Sequence, residues 1–361
     1  LDGHPDLFVA EYYPLVVPPA PHARLFIHDG SATGGFTEES QARLAGLVDV
    51  MMQMTAVDMA DLDNDGYPDL VGGRYGLQNS VVVCLNDGSG YFPASDIIWL
   101  QDVADVNGVR CFDQDLDGRM DLLVTSESAN EPPAVFRNTT ALGATVAFFN
   151  DTPHAFQGDA GGAARGLVSL DWNRDGDQDL FVGRATSTDQ FYYRTTRIDG
   201  TDHPDQDAIS VRVASPQGVN NAAGIGARVS VGFGTETLVK WVDGGSSRGG
   251  QNDLVLTFPV DQSSGNVPVA IVWPNGWLQS AQVAVHTPGD APQLVLDDTN
   301  PTVQDATVSA YAEYDPVEDL MTFVFTWSTE YGSDPAMDKV TFGSVPSQCD
   351  PGLTQSTPAT S

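Results

Sequence analysis

Residues 61–72 read Asp-Leu-Asp-Asn-Asp-Gly-Tyr-Pro-Asp-Leu-Val-Gly, an acidic loop that leads directly into a run of apolar residues. The aspartates at loop positions 1, 3 and 5 can point into one concavity, and the glycine at position 6 permits a sharp turn. The aspartate at position 9 closes the loop where the apolar run begins. Hard oxygen ligands in this number suit Ca²⁺ better than Mg²⁺, which requires a tighter octahedral site. The stretch therefore predicts a calcium-binding loop that joins two β-strands.

The same pattern recurs at 113–121 and 171–179, and its second half stands at 1–7. We call 61–69, 113–121 and 171–179 the first, second and third aspartate loops. Carboxylates a few ångströms apart repel each other by about 3 kcal/mol per pair at an effective dielectric near 20, so a loop without a cation should not stay compact. We predict about three structural Ca²⁺ ions and a partial fourth site, with the backbone carbonyl of position 7 as a further ligand. The predicted ligands are Asp61, Asp63, Asp65, Tyr67 and Asp69; Asp113, Asp115, Asp117, Arg119 and Asp121; Asp171, Asn173, Asp175, Asp177 and Asp179; and, in the partial copy, Asp2 and Asp6.

These loops differ from the helix-flanked EF-hand in two ways. Position 12, where an EF-hand carries glutamate, is Gly72, Val124 or Val182, and the residues after each loop predict a strand. The alternative is that such turns are ordinary solvated hairpins, as one isolated copy could be. Three complete copies in register favour calcium binding over that alternative.

The spacing of the loops predicts the architecture. Gly3, Gly66, Gly118 and Gly176 follow one another at intervals of 63, 52 and 58 residues, a period that fits one blade of a β-propeller. A turn rich in Asn, Asp and Gly follows within each repeat, most clearly at 86–92. The sequence begins inside a repeat, so we expect further blades upstream of residue 1.

The chain divides into five predicted parts. Propeller blades occupy 1–205, incomplete at the amino end, and a different β-rich domain occupies 206–288. A linker rich in Pro, Asp and Asn is predicted at 289–301, and a sandwich-like β unit at 302–345. The Ser/Thr/Pro-rich tail at 346–361 follows.

Composition limits the functions that the protein can have. Among 361 residues, 49 are acidic and 16 are basic, which gives a formal net charge of -33. This charge would repel nucleic acids, so we exclude a nucleic-acid partner. No apolar run approaches the ~20 residues of a membrane span, and we expect any export signal to have been removed. Cys84, Cys111 and Cys349 are interpreted as buried or free thiols, with a Cys84–Cys111 disulfide as the alternative.

At the aspartate loops the sequence resembles the FG-GAP/VCBS repeat family, over about residues 1 to 200. A second resemblance, to the ASPIC/UnbV domain, is carried by Gly-Ile-Gly-Ala-Arg-Val at 224–229 and by Trp-Pro-Asn-Gly-Trp-Leu-Gln at 273–279. The segment at 244–251 follows that family's Gly/Ser-rich stretch only loosely, and Leu-Thr-Phe-Pro at 256–259 replaces its usual Phe-Gly-Leu-Gly. The two resemblances imply an all-β protein with calcium-binding blades like those of integrin α-subunits, related to cartilage acidic protein.

These patterns favour a secreted or cell-surface protein in which calcium is structural and which mediates adhesion to an extracellular protein or glycan. We predict no catalytic residues and no other cofactor, because the sequence lacks a Gly-x-Ser-x-Gly motif and its six histidines are isolated. Two alternatives stay open: a structural subunit of an extracellular filament or surface layer, formed by homo-assembly, and a polysaccharide-acting enzyme that uses the central funnel of the propeller.

Overall fold

A computed structural model gives the fold of the chain. It describes residues 6–10, 23–30, 34–44, 54–76, 80–101, 103–128, 133–141, 144–151, 163–171, 176, 178–184, 191–193, 206–215, 220–245, 247–248, 250–261, 265–284, 293–297, 307–315, 320–328 and 337–342. Its elements are 24 β-strands, one α-helix of four residues (α1, Ser40–Arg43) and one short 3-10 turn (Ala94–Asp96). The predicted all-β fold class is therefore confirmed.

Four antiparallel sheets form the first half of the described chain, each from strands that follow one another in sequence. The first sheet contains β1 (Leu7–Ala10), β2 (Ala23–His28) and β3 (Phe36–Glu38). The second contains β4 (Met54–Ala60), β5 (Asp69–Arg74), β6 (Val81–Cys84) and β7 (Ile97–Leu100). The third contains β8 (Val106–Phe112), β9 (Asp121–Ser126), β10 (Ala134–Asn138) and β11 (Phe148–Asn150). The fourth contains β12 (Ala164–Leu170), β13 (Asp179–Arg184) and β14 (Phe191–Tyr193).

The sheets pack face to face in sequence order, so the inner strands are buried on both faces. In β6, Val81 and Val83 join the core shared with the third sheet, while Val82 and Cys84 join the core shared with the first. The strand β9 alternates in the same way: Leu122 and Val124 face the second sheet, and Leu123 faces the fourth. Burial on both faces explains why these strands read as continuous apolar runs rather than as an alternating pattern.

Each acidic loop lies at the same place in its sheet. The first aspartate loop joins β4 to β5, the second joins β8 to β9, and the third joins β12 to β13. The aspartate at position 9 is the first residue of the strand that follows, as in β5 and β9. The loops therefore lie at one end of the stack of sheets, each at the end of the first strand of its sheet.

A second domain follows, built from two sheets around one core. Its six-stranded sheet has the order β18-β15-β21-β22-β23-β24, and its four-stranded sheet has the order β17-β16-β19-β20. The core between them includes Ile209, Val229, Phe258 and Trp273, all at most 1% exposed. The strands of this domain are β15 (Gln206–Ala214), β16 (Arg228–Phe233), β17 (Glu236–Trp241), β18 (Val255–Asp261), β19 (Asn266–Val272), β20 (Leu278–Ala284), β21 (Gln293–Asp297), β22 (Thr307–Asp315), β23 (Leu320–Ser328) and β24 (Met337–Phe342).

The carboxyl-terminal strands extend the six-stranded sheet. The predicted linker at 289–301 contains β21, which pairs in parallel with β15 from Ser210 to Ala214. Strand β22 then pairs with β21, and β22 to β24 form a meander within the predicted sandwich-like unit at 302–345. The run Leu-Val-Leu at 294–296 supplies the strand, although the flanking Pro, Asp and Asn residues read as a linker. The predicted tail at 346–361 lies outside the described residues.

Two further expectations concern the cysteines and the membrane. Cys84 and Cys111 are both buried free thiols, so the alternative of a disulfide between them is wrong. The two residues stand on strands of different sheets and pack as small apolar side chains in two different cores. Cys349 lies outside the described residues. In the described part of the chain, no helix has the length and hydropathy that a membrane crossing requires.

The second domain packs onto the first strands of the repeated sheets. The amide of Ser247 donates to the carbonyl of Val57 in β4 (2.7 Å), and the two residues form an isolated antiparallel bridge. The Asn252 side chain accepts from the amide of Ser169 in β12 (3.1 Å). The described part of the segment 243–253 thus covers backbone groups of the first strands that their own sheets leave unpaired, which protects those strand edges.

Candidate metal centre

The first aspartate loop is closed by its own carboxylates. Asp61 is 1% exposed, and its two carboxylate oxygens accept the amides of Asp65 (3.0 Å) and Gly66 (2.9 Å). Asp63 accepts the amide of Asp65 (3.2 Å), and Asp65 accepts that of Tyr67 (2.9 Å). Gly66 has a φ of 89°, in the left-handed region that glycine adopts without a steric penalty. The short-range bonds of aspartate to backbone bend the loop around its first three carboxylates.

The second aspartate loop repeats this geometry. The carboxylate of Asp113 accepts the amides of Asp117 (3.1 Å) and Gly118 (3.0 Å), and Gly118 has a φ of 86°. Two arginines contact the carboxylates of this loop. The Arg119 guanidinium pairs with Asp117, and Nη1 of Arg137 lies 3.6 Å from Asp115 Oδ2. The equal geometry of two loops with different neighbours shows that the loop sequence itself dictates the shape.

The donor sets of these two loops fit a hard divalent cation. In each loop the carboxylates at positions 1, 3 and 5 can each offer an oxygen, with all three oxygens within 4.8 Å of one another. Asp115 Oδ1 is buried and has no hydrogen-bond partner, which is costly for a charged oxygen unless a ligand compensates. Three carboxylates around one point supply the charge and oxygen chemistry that Ca²⁺ takes.

The aspartates at position 9 hold their loops onto the following sheets. Asp69 is 0% exposed, and its oxygens accept the amides of Leu62 (2.8 Å) and Asn86 (2.8 Å). Asp121 likewise accepts the amides of Gln114 (3.0 Å) and Asn138 (2.7 Å). Neither belongs to the group of carboxylates within 4.8 Å, so each ties its loop to the sheet, and its role as a calcium ligand stays a prediction.

The sequence did not predict that Asn86 and Asn138 complete the attachment of the first two loops to their sheets. Asn86 donates from Nδ2 to the carbonyl of Pro68 (3.0 Å), while its Oδ1 accepts the amides of Gly88 and Gly90 (3.0 Å each). Asn138 is 0% exposed and donates from Nδ2 to the carbonyls of Leu62 (2.8 Å) and Met120 (3.2 Å). The signal that could have revealed them is their equal offset: each asparagine stands 17 residues after its position-9 aspartate.

Burial and mutual repulsion raise the pKa values of several loop carboxyls. Burial raises the pKa of Asp61 to about 7, and the charges of Asp65 and Asp63 add to the effect. Burial likewise raises the pKa of Asp113 to about 7, against the opposing charge of Lys240, and the pKa of Asp117 to about 6. Groups with such shifts are stabilised by taking up a proton or a cation, and at neutral pH a divalent cation meets this need for several carboxylates at once.

The third aspartate loop and the partial copy are described only in part. The Asp171 carboxylate accepts the amide of Gly176 (3.0 Å), and Gly176 has a φ of 90°, as in the other loops. Asp179 is 0% exposed at the start of β13. In the partial copy, Asp6 accepts the amide of His28 (2.9 Å). The remaining predicted ligands lie outside the described residues: Asn173, Asp175, Asp177 and Asp2.

Stacked antiparallel sheets, three of which carry an acidic loop between their first two strands, are typical of the class of β-propeller-like repeat proteins. Within this class, a family model of the FG-GAP-like repeat matches residues 1–72 and 61–124, and a model of the ASPIC and UnbV domain matches 218–295. The chain thus carries FG-GAP-like repeats followed by an ASPIC and UnbV domain, as predicted. No curated protein was found to match it. The relation to cartilage acidic protein stays a prediction.

Proposed function

We propose that this chain is an extracellular calcium-binding protein in which Ca²⁺ is structural and stiffens the repeated sheets that present a binding surface. The observation that carries the proposal is the pair of three-carboxylate groups at identical loop positions, one with a buried oxygen that has no hydrogen-bond partner. FG-GAP repeats are typical of extracellular proteins, which work where Ca²⁺ is abundant. Hard, flexible oxygen sites of this kind bind Ca²⁺ in preference to Mg²⁺.

Asp61, Asp63 and Asp65 would hold the ion in the first loop, and Asp113, Asp115 and Asp117 in the second. The ion supplies positive charge that neutralises the carboxylates. Asp69 and Asp121 hold the loops onto their sheets through backbone amides, so they position the other carboxylates. Asp61 and Asp113 are bonded to the backbone of their own loops, and the other carboxylates of the two groups would be ligands of the ion, so we assign the ion a structural role.

A calcium titration followed by thermal unfolding and by titration calorimetry tests the proposal. Binding to the folded state alone at a hundred times the dissociation constant adds about 2.7 kcal/mol per site, so the melting temperature should rise with Ca²⁺. Mg²⁺ at the same concentration should raise it less. An unchanged melting temperature at millimolar Ca²⁺, with no heat of binding, would refute the proposal.

The Asp115→Asn variant tests the assignment of Asp115 as a calcium ligand in the second loop. The substitution removes a carboxylate charge from the second loop and keeps its size, so calcium affinity at that loop should fall by at least about tenfold. Calorimetry of wild type and variant measures the change. Asp96→Asn is the matched control, because Asp96 is an exposed carboxylate in the 3-10 turn before β7, outside any aspartate loop. Equal affinities of the two variants would contradict the assignment of Asp115.

We further propose that the protein mediates adhesion to an extracellular protein or glycan. The described part of the segment 243–253 contacts Val57 of β4 and Ser169 of β12, so these first strands are not open to a substrate at those positions, which favours binding over catalysis. Arrays of matrix proteins and glycans, probed with the full chain in Ca²⁺ and in chelator, test it. Retention that requires Ca²⁺ supports adhesion, and cleavage of an arrayed polysaccharide would favour the enzymatic alternative.

A further inference from the structure

The first two aspartate loops form part of the contact between the repeated sheets and the second domain. Arg228 of β16 reaches the first loop, where its Nη2 donates to the carbonyl of Gly66 (3.4 Å). Gly118 of the second loop lies against the side chains of Phe233 and Leu238, since a Cβ placed on it would stand 3.2 Å from both. The glycine at position 6 of each of these two loops thus touches the second domain.

The same glycines are positioned by the carboxylates that would bind the ion. Asp61 Oδ2 accepts the amide of Gly66, and Asp113 Oδ2 accepts the amide of Gly118. If mutual repulsion displaces these carboxylates, the two glycines must shift as well. A cation that neutralises the carboxylates therefore also holds in place the loop surface on which the second domain rests.

The two loops are connected to each other as well. Asn64 of the first loop donates from Nδ2 to the carbonyl of Gly118 in the second (3.2 Å). Asn138, which is tied to Asp121, donates to the carbonyl of Leu62 in the first loop. A change in either loop is transmitted to the other, so the loops act on the second domain as a pair.

The second domain also places a cation beside the second loop. Lys240 is half-buried, its Nζ donates to the carbonyl of Thr257 (2.6 Å), and its charge acts on Asp113 and Asp121. Lys240, Arg119 and Arg137 together bring three positive charges to the four carboxylates of this loop, so a net negative charge is left for a divalent cation. Docking and metal binding therefore do not exclude each other.

We propose that calcium loading of the first two aspartate loops and docking of the second domain onto the repeated sheets are coupled, each strengthening the other. The inference rests on the calcium binding proposed above and adds its consequence for the contact between domains. Coupling between two binding events is reciprocal: if Ca²⁺ tightens docking by some factor, docking tightens Ca²⁺ binding by the same factor. Both directions can be measured.

Hydrogen exchange of the full chain measures the effect of the metal on docking. The amide of Ser247 is the reporter, because it donates across the domain contact to Val57 and touches no loop ligand. Its exchange should become at least about tenfold faster when Ca²⁺ is removed with chelator. Amides of β16 and β19, which pair inside the second domain, are the internal control and should keep their protection. Equal exchange of Ser247 in both conditions overturns the inference.

The variant Arg228→Ala measures the reverse effect, of docking on the metal. Removing a positive charge near an acidic site should by electrostatics alone strengthen calcium binding, whereas lost docking should weaken it about fivefold or more. The two explanations differ in sign. Arg212→Ala is the matched control, because Arg212 is exposed on β15 of the same domain. Calorimetric affinity that is unchanged or higher in Arg228→Ala contradicts the coupling.

The outcomes separate the two proposals. If wild type binds Ca²⁺ but neither Ser247 exchange nor the Arg228→Ala affinity changes, the coupling is wrong and the calcium proposal stands. If wild type binds no Ca²⁺, both are wrong. Should Arg228→Ala fail to fold, the exchange experiment on the unmodified chain still decides the question.

Discussion

At the scale of the residue, Gly118 carries two constraints at once. Its φ of 86° is in a region that L side chains rarely adopt. A Cβ on this residue would also stand 3.2 Å from the side chains of Phe233 and Leu238 in the second domain. The loop consensus explains the first constraint, since any turn of this type requires glycine. The second could not be read from the loop, because Phe233 and Leu238 stand more than 100 residues further along the chain.

The two constraints can be separated by matched substitutions. We expect Gly118→Ala to lower the melting temperature, because it adds about 1–3 kcal/mol of backbone strain and also crowds the domain contact. Gly276→Ala is the control, since Gly276 has a similar φ of 82° and open space where a Cβ would stand. Chemical denaturation should show the larger loss for Gly118→Ala. Equal losses would mean that the contact with the second domain contributes nothing.

At the scale of the element, the sequence predicted the strands well wherever apolar residues face two neighbours. The strands predicted directly after the aspartate loops are β5, β9 and β13, and the loops before them were placed correctly. The ties from Asp69 to Asn86 and from Asp121 to Asn138 were not predicted, because they depend on how a later hairpin folds back onto the loop. Strand β21 was missed since a run of three apolar residues between turn formers carries no periodicity.

Burial of β6 between two sheets has a chemical consequence for its cysteine. Burial raises the pKa of Cys84 to about 12, and the nearby charge of Asp69 contributes in the same direction. Because only the thiolate reacts, alkylation of Cys84 at pH 8 should be at least about a thousandfold slower in the folded protein than in the unfolded chain. Peptide mass spectrometry after iodoacetamide treatment measures this rate. The Cys349→Ser variant removes the thiol that lies outside the described residues, and rapid labelling of native Cys84 would contradict its burial.

At the scale of the whole molecule, one buried polar network joins three repeated sheets to the second domain. Arg110 of β8 donates to Asp58 of β4 (3.1 Å) and to the hydroxyl of Ser169 in β12 (2.8 Å), and it lies 3.6 Å from Asp243 of the second domain. Asp58 also accepts the amide of Cys111 (2.7 Å). This network could not be predicted from the sequence, because its members come from four separate segments and each alone reads as an ordinary polar or charged residue.

The network predicts a large effect from a single substitution. Arg110→Met keeps much of the side-chain volume but leaves the buried carboxylate of Asp58 without its partner, which should cost about 3–5 kcal/mol of unfolding free energy. Arg165→Met is the control: Arg165 pairs with Glu127 at a side-chain exposure of 55%, so its loss should cost no more than about 1 kcal/mol. Denaturant unfolding in saturating Ca²⁺ compares the two variants.

Because the network lies across the domain contact, Arg110→Met should also speed the exchange of the Ser247 amide, whereas Arg165→Met should leave it unchanged. A similar small loss in both variants would show that Asp58 finds other compensation and that the network does not hold the domains together.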